Sequence, residues 1–259
     1  MTQVKFYKYQ ATGNDFILID NRNKEIALDN ELISKLCDRK FGIGSDGIIL
    51  IENSNNYDFE MVFHNPDGSQ SLCGNGSRCA VAFAHYLGII QSDTEFLAYD
   101  GAHTAEILSN GDVRLKMSDV QTVRFLDDGT FVDTGSPHLV QQVDKVNSFE
   151  VYEKGKAIRN NAVFKTEGIN INFIEPMNDN QIFVRTYERG VENETLSCGT
   201  GVTASAIAAS LQGILSPVAV CTKGGNLEVN FEAKDKTHFT NVYLTGPAKH
   251  VFEGSIQID

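Results

Sequence analysis

The sequence predicts an α+β protein built from two similar halves, each a mostly antiparallel sheet or barrel wrapped around a central helix. Most of the chain consists of short apolar segments separated by turn residues, which is typical of strands. Only four segments have helical spacing. Two of these helices begin just after a Cys-Gly pair, in the same short motif Cys-Gly-x-Gly, which starts at residues 73 and 198, 125 residues apart. A duplication explains the repeat most economically.

Length and composition limit the class of protein. The chain has 259 residues, of which 41% are hydrophobic, enough for one large domain or two ordinary ones. The 22 Lys and Arg residues are outnumbered by 34 Asp and Glu residues, which gives a net charge of −12. Nucleic acid and an anionic membrane both attract positive charge, so neither is expected as a partner.

Five cysteines, an odd number without regular spacing, do not form the pattern of a disulfide framework. The first 20 residues lack the apolar run of a signal peptide. A reducing, cytoplasmic location is therefore expected.

Turn chemistry places the predicted strands. Asn110-Gly111 and Asp128-Gly129 indicate hairpins, because Asn, Asp and Gly tolerate positive φ. The predicted strands lie at residues 5–9, 16–20, 48–52, 59–63, 104–108, 113–117, 123–126, 130–133, 218–222, 227–231, 241–244 and near 250–252.

The helix at 29–39 has an acidic first turn and carries Leu32, Ile33 and Leu36 on one face. Another is predicted at 148–158. The helices at 75–87 and 200–211 follow the two Cys-Gly pairs. The second lies in an uncharged stretch, 195–221, whose Ser, Thr, Gly and Ala content favours a helix buried in a core over a membrane span.

The repeat suggests domain boundaries. The first half is expected at residues 1–118 and contains Cys73, and the second at 119–251 contains Cys198. The segment 252–259 is expected to pack back onto the first half. A two-fold arrangement would direct both helix N-termini and both sulfurs at one interdomain cleft, which is the expected active site.

A cysteine just before a helix lies where backbone N–H groups and the helix dipole favour negative charge, so its pKa falls. The same N–H groups bind carboxylates, and glycine lets the ligand approach the backbone. Two such cysteines could remove a proton from one face of an α-carbon and return one to the other. This chemistry is that of an epimerase or racemase that needs no cofactor.

The motifs resemble those of the diaminopimelate epimerase family, in order and over the chain from about residue 5 onward. They are Gly13-Asn14-Asp15-Phe16, Gly42-Ile43-Gly44-Ser45-Asp46, His64-Asn65-Pro66-Asp67-Gly68-Ser69 with Cys73-Gly74-Asn75-Gly76-Ser77-Arg78-Cys79, Gly168-Ile169-Asn170-Ile171-Asn172-Phe173, and Tyr187-Glu188-Arg189-Gly190 with Glu194-Thr195-Leu196-Ser197-Cys198-Gly199-Thr200-Gly201.

The resemblance implies an isomerase that interconverts LL- and meso-2,6-diaminopimelate in lysine and peptidoglycan precursor synthesis, without PLP, other cofactor or metal, and as a homodimer. The implied catalytic residues are Cys73 and Cys198, the acid/base pair, with His138 and Glu188 tuning thiol protonation. The residues implied to bind the distal end of the substrate are Asn14, Asn65, Asn170 and Arg189. The reacting carboxylate is implied to bind the backbone of Gly74, Asn75, Gly199 and Thr200.

Two positions depart from the family pattern. Ser136 stands before Pro137-His138 where family members often have Asn, and Gly47 follows Asp46 where Gln is frequent. Serine reaches less far than asparagine and lacks its second donor.

Other functions fit part of the same pattern. A proline racemase-like activity shares the paired-thiol chemistry. A Cys-His hydrolase or acyltransferase would use Cys198 as nucleophile and His138 as base, and would leave Cys73 without a role. A non-catalytic carboxylate binder would need neither thiol. A metal site lacks any Cys-x-x-Cys or His-x-x-x-His spacing, and the remaining cysteines are expected to be packing residues: Cys37, Cys79 and Cys221.

Overall fold

The computed structural model describes residues 2–258 and is rich in strands. Its α-helices are α1 Asn30–Cys37, α2 Gly74–Tyr86, α3 Val151–Arg159 and α4 Gly199–Ser210, with a short 3-10 helix at Val146–Ser148. The strands are β1 Thr2–Ala11, β2 Asn14–Asp20, β3 Ile48–Glu52, β4 Phe59–His64, β5 Asp93–Ala98, β6 Gly101–Ile107, β7 Val113–Lys116, β8 Val123–Leu126, β9 Gly129–Asp133, β10 Pro137–Gln142, β11 Asn170–Asn178, β12 Gln181–Glu188, β13 Asn193–Thr195, β14 Val218–Thr222, β15 Gly225–Ala233, β16 Phe239–Gly246 and β17 Lys249–Ile258.

The chain forms two compact units. Unit 1 comprises residues 2–115 and 246–258, and unit 2 comprises residues 116–245. The last strand, β17, pairs with β1 in unit 1 over most of the length of both strands. The domain boundaries expected from the sequence, after residues 118 and 251, stay predictions.

The two units share one order of strand pairing. In unit 1 the order is β17-β1-β2-β3-β4-β5-β6-β7. In unit 2 it is β8-β9-β10-β11-β12-β14-β15-β16, with the short β13 also on β12. In both units the third and fifth steps are parallel and the others antiparallel. Two like halves and the α+β class are thus confirmed, and the shared pattern supports a duplication.

One helix fills the centre of each unit. Helix α2 packs against β1, β2, β3, β4 and β6, and helix α4 packs against β9–β12, β14 and β15. Most residues of both helices are buried, and α4 consists almost wholly of Gly, Ala, Ser, Thr and small aliphatic residues. A helix that is apolar on every side belongs inside a core. In residues 2–258 no helix has both the length and the apolarity needed to cross a membrane.

The other two helices cover the outside of the sheets. In unit 1, Ile33 and Leu36 of α1 join a buried cluster with residues of β1, β2 and β3. Asp29 caps α1 by accepting the backbone N–H of Leu32. In unit 2, Val151 of α3 joins a cluster with β9, β10, β11 and β12. These clusters fix the strands whose ends carry the candidate site residues.

The predicted elements all overlap observed ones. The helix predicted at 148–158 is divided into the 3-10 turn Val146–Ser148 and helix α3. Five observed strands were not predicted, namely β5, β10, β11, β12 and β13.

Candidate active site

Cys73 is the N-cap of helix α2 in unit 1. Its Sγ accepts the backbone N–H of Gly76 at 3.4 Å, which satisfies one of the N–H groups that a helix start leaves open. The thiol is half-buried and lies 3.7 Å from Oδ1 of Asn14. The sulfur therefore lies between an N–H donor and an amide acceptor.

The orientation of the Asn14 amide is fixed by a series of hydrogen bonds that runs from Arg78 through Asn75 and Asn14 to Asp46. Arg78 can only donate, so the Asn75 atom 2.8 Å from its Nη2 is Oδ1. Asn75 then donates from Nδ2 to Oδ1 of Asn14 at 3.1 Å. Asp46 can only accept, and it takes Nδ2 of Asn14 at 2.7 Å. Both ends agree that the amide oxygen of Asn14 faces Cys73.

Arg78 is fully buried, which is rare for arginine. Burial lowers its pKa, and its Nη2 also donates to Oγ1 of Thr12 at 3.3 Å. Among residues 2–258 neither Nε nor Nη1 has a hydrogen-bond partner. Arg78 was not among the predicted site residues, although it lies in the motif that begins at Cys73.

Asp46 belongs to an ionic network beside the same site. Arg39 contacts both Asp46 and Asp15, at 2.7 and 2.6 Å. Asp15 also pairs with the buried Lys8 at 2.6 Å. Burial would raise the pKa of Asp15, but hydrogen bonds from Arg39 and Lys8 outweigh it and lower that pKa.

Asn65 lies in the tight turn that follows β4. Its Nδ2 donates to the Ser69 carbonyl and to the Ser71 hydroxyl, each at 3.1 Å. Gly68 has φ +85° in this turn, a conformation that favours glycine. Asp67 closes the turn by accepting the N–H and O–H of Ser69, which lowers the pKa of Asp67.

Cys198 is the N-cap of helix α4 in unit 2, as Cys73 is of α2 in unit 1. It is buried, and its Sγ lies 3.5 Å from Oγ1 of Thr200. Thr134, which the sequence analysis missed, donates to the Thr200 carbonyl at 3.1 Å and ties the helix start to the end of β9. The two cysteines therefore occupy equivalent places in the two units.

The backbone assigned to the reacting carboxylate forms the first turn of each helix: Gly74, Asn75, Gly199 and Thr200. A Cβ added at Gly74 would meet no atom within 4 Å, so the space beside that position is open. Open N–H groups at a helix start suit an anion.

Ser136 links the residues assigned to the distal end in unit 2. Its Oγ accepts Nδ2 of Asn170 at 3.0 Å and Nη2 of Arg189 at 3.3 Å. Oδ1 of Asn170 accepts the backbone N–H of Arg189 at 2.9 Å. The shorter serine thus still joins the other two residues.

His138 is fully buried on β10. Burial, with the charge of Arg189, lowers its pKa to about 3, so the ring is neutral near pH 7. Nδ1 lies 3.1 Å from Nδ2 of Asn172, a second residue that the sequence analysis did not assign to the site. Asn170 and Asn172 are two residues apart on β11 and therefore lie on the same face of the strand. Two amides on one buried face were the sequence signal that could have identified Asn172 as a site residue.

Glu188 ends strand β12 and is partly buried, whereas Arg189 beside it is exposed.

Gly47 is the second position that departs from the family pattern. A Cβ added there would overlap the ring of Phe63 and the carbonyl of His64. A glutamine does not fit there unless Phe63 moves.

Within the part of the chain that is described, residues 2–258, no three His, Cys, Asp or Glu side chains meet in a metal-binding group. Cys37, Cys79 and Cys221 are free thiols.

Comparison with solved structures places the fold. A phenazine biosynthesis protein of the PhzF family from Bacillus anthracis covers 100% of both chains, with a TM-score of 0.76 at 13% identity. A probable proline racemase from Agrobacterium radiobacter has a TM-score of 0.71 at 14% identity, over 99% of this chain and 93% of its own. The chain therefore has the two-domain fold of the PhzF and proline racemase proteins.

Sequence comparison is more specific. The family model described as diaminopimelate epimerase matches residues 6–123 and 130–251. A diaminopimelate epimerase from Flavobacterium psychrophilum is 50% identical over 98% of this chain and 100% of its own length. One from Aquifex aeolicus is 39% identical over 98% of both. The chain belongs to the diaminopimelate epimerase family and is an isomerase.

Proposed function

We propose that this chain interconverts LL- and meso-2,6-diaminopimelate without PLP, using Cys73 and Cys198 as its two bases, in lysine and peptidoglycan precursor synthesis. The equivalent placement of the two cysteines, each the N-cap of the central helix of its unit, carries the proposal. Family membership over nearly the whole chain supports the substrate and favours an isomerase over a hydrolase or a passive binder.

The reaction moves one proton in and one proton out. One cysteine, as thiolate, removes the α-proton and becomes a thiol. The electron pair stays on the α-carbon beside the carboxylate. The other cysteine, as thiol, delivers its proton to the opposite face and becomes a thiolate. The α-carbon is inverted, and the thiol and thiolate have exchanged places, ready for the reverse direction.

The carbanion needs stabilisation of its growing charge. N–H groups at Gly74, Asn75, Gly199 and Thr200 would donate to the α-carboxylate, and the positive ends of α2 and α4 add to their effect. Gly76 N–H already donates to Sγ of Cys73, which favours the thiolate, whereas the Asn14 oxygen favours the thiol. Small changes at these contacts would shift the proton between the two states. His138 and Glu188 are proposed to tune the thiols from the strands of unit 2.

The distal amino-acid end is proposed to bind Asn14, Asn65, Asn170 and Arg189. Arginine presents a planar pair of donors that matches a carboxylate. Arg189 is held by the Glu167 carbonyl at 3.2 Å and by Ser136 at 3.3 Å. Its head group is therefore oriented before the substrate arrives.

Ser136→Ala should raise the KM for diaminopimelate about 3- to 10-fold and change kcat by less than 2-fold, because about 1 kcal/mol of hydrogen bonding that orients Arg189 and Asn170 is lost. Initial rates at varied substrate concentration measure both constants. Asn170 keeps its second bond, to the Pro137 carbonyl at 3.1 Å, so a larger loss is not expected. An unchanged KM would show that Ser136 does not orient these residues.

The function is tested by proton NMR of the purified, reduced protein with LL-diaminopimelate in D₂O. We expect deuterium at the α-carbon together with meso product, also after dialysis against a chelator and without absorbance from PLP. Cys73→Ala and Cys198→Ala should each slow epimerisation about 10²- to 10⁴-fold, because a carbanion left with one base regains its proton only on the face that lost it.

Cys221→Ala is the matched control. This cysteine lies on β14, where Nε2 of Gln181 is 3.3 Å from its Sγ, and its loss should leave the rate unchanged. Epimerisation that survives in the Cys73 or Cys198 variant contradicts the two-base mechanism. Wild-type protein that shows no exchange contradicts the substrate.

The mechanism requires both catalytic cysteines in the reduced state, one as thiol and one as thiolate, which a reducing compartment maintains. We therefore infer that the protein works in the cytoplasm, as a homodimer like the one the family resemblance implies. Light scattering after size-exclusion chromatography distinguishes one copy of 28.5 kDa from two.

A further inference from the structure

Asn172 is a buried amide on β11 whose hydrogen bonds run to the two neighbouring strands. Its Oδ1 accepts the hydroxyl of Thr186, on β12, at 2.8 Å. Its Nδ2 lies 3.1 Å from Nδ1 of His138 and 3.5 Å from the carbonyl of Leu139, both on β10. Asn172 and His138 are both fully buried. Both sides of this amide are therefore occupied by protein groups.

These partners determine which way the amide faces. The Leu139 carbonyl can only accept, so the Asn172 atom on that side is the NH₂ group. His138 is on the same side, and its Nδ1 therefore accepts a hydrogen bond from the amide N–H. A ring nitrogen that accepts carries no proton, so in a neutral imidazole the proton is on Nε2.

The ring is neutral because of its surroundings. Burial, followed by the charge of Arg189, keeps its pKa low, at about 3. Within residues 2–258 no hydrogen-bond partner reaches Nε2, although the atom is buried. A buried N–H donor without a partner is costly. An acceptor that arrives with the substrate or forms during the reaction would relieve this cost.

The amide also packs beneath the first turn of α4. A Cβ added at Gly201 would overlap Oδ1 of Asn172 and would lie 3.4 Å from Sγ of Cys198. Only glycine leaves room for the amide here. The space beside Gly201 is therefore bordered by both the Cys198 sulfur and the Asn172 amide.

We propose that Asn172 is a positioning residue that holds His138 as its Nε2–H tautomer, so that Nε2–H is available as a donor to an anionic acceptor of the reaction. In this role Asn172 contacts neither the proton that is transferred nor the substrate. Its effect on the reaction passes through His138. Thr186 supports it by fixing the amide oxygen. The part of the proposal that concerns catalysis rests on the proposed function, whereas the tautomer does not.

The first measurement is the tautomer itself, in ¹⁵N-labelled protein by long-range ¹H–¹⁵N correlation, with His138 identified by its absence in His138→Gln. The expected pattern is an unprotonated Nδ1 and a protonated Nε2, unchanged from pH 5.5 to 8. Finding the proton on Nδ1 overturns the proposal. This measurement needs neither a variant of Asn172 nor activity.

The second measurement uses Asn172→Asp, which keeps the shape but replaces the NH₂ donor by an acceptor. A proton should now appear on Nδ1 of His138, and kcat should fall about 10²- to 10⁴-fold, since a wrong histidine tautomer costs serine proteases about 10⁴. KM should change less than 3-fold. Cys221→Ala, on β14 and outside this network, is the control and should keep both the wild-type tautomer and the wild-type rate.

The outcomes separate the two proposals. If the tautomer is as expected but the protein does not epimerise diaminopimelate, the proposed function is wrong and the positioning of His138 still holds. An active protein in which Asn172→Asp retains a bare Nδ1, or retains full kcat with the proton moved, overturns the positioning role.

Discussion

Arg185→Met should lower the free energy of unfolding by about 3 kcal/mol, because it breaks a buried ion pair and leaves Glu194 with only the exposed Lys223 as counter-charge. Arg185 lies on β12 and is 8% exposed. Its Nε and Nη2 contact Glu194 at 2.6 and 2.7 Å, and Nη1 donates to the carbonyls of Val146 and Phe149 at 2.7 and 2.9 Å. One side chain thus connects β12, β13 and the chain leading into α3.

Urea denaturation measures this loss. The matched control is Arg22→Met, which breaks a similar two-bond pair with Asp20 in unit 1, where both side chains are about one-third exposed. The control should lose less than about 1 kcal/mol. The double variant Arg185→Met/Glu194→Leu should recover part of the loss, because the buried carboxylate is then removed together with its buried partner, and Lys223, which also contacts Glu194, is exposed to water. Equal losses in Arg185→Met and the control would refute this account.

Gly201→Ala should destabilise the protein by about 1–3 kcal/mol and lower kcat at least 10-fold, because the new methyl group overlaps Oδ1 of Asn172. The amide has no room to withdraw, since Thr186 and His138 hold it on both sides. Thermal unfolding and initial rates measure the two effects.

Gly76→Ala provides a control at the equivalent position of α2. There the added methyl group would lie 3.3–3.4 Å from the flexible ends of Ile49 and Met61 and from Cβ of Cys73, which is tight but not an overlap. Alanine favours a helix by about 1 kcal/mol over glycine. The change in stability at Gly76 should therefore be near zero. A Gly201 variant as stable and active as the Gly76 variant would disprove the close packing of Asn172.

Local chemistry explains why most of the fold could be predicted from the sequence. Helix α1 has its capping Asp29 and an apolar face, and the β6–β7 hairpin has Asn110-Gly111, so both signals lie within a dozen residues. The missed strands β10, β11 and β12 contain prolines or polar residues where a simple strand is apolar. Pro137, Asn170 and Asn172 are tolerated there because they serve contacts with distant parts of the chain.

The residues of the candidate site also differ in whether local sequence reveals them. The cysteines, with the glycines after them, could be found because their chemistry follows from a short motif at a helix start. Arg78 and Asn172 could not, because each acts through partners 66 or 34 residues away, Thr12 and His138. A single sequence shows that such a residue is polar, but not that it is buried or which group it orients.

The pairing of β1 with β17 also sets the order in which the protein can be completed during translation. The strands of unit 2 run from Val123 to Gly246, so that unit can fold as soon as its own residues leave the ribosome. Unit 1 must wait for residues 249–258, which are made after all of unit 2. Until then one edge of β1 is open to a neighbouring nascent chain, which makes early termination within β17 a route to aggregation.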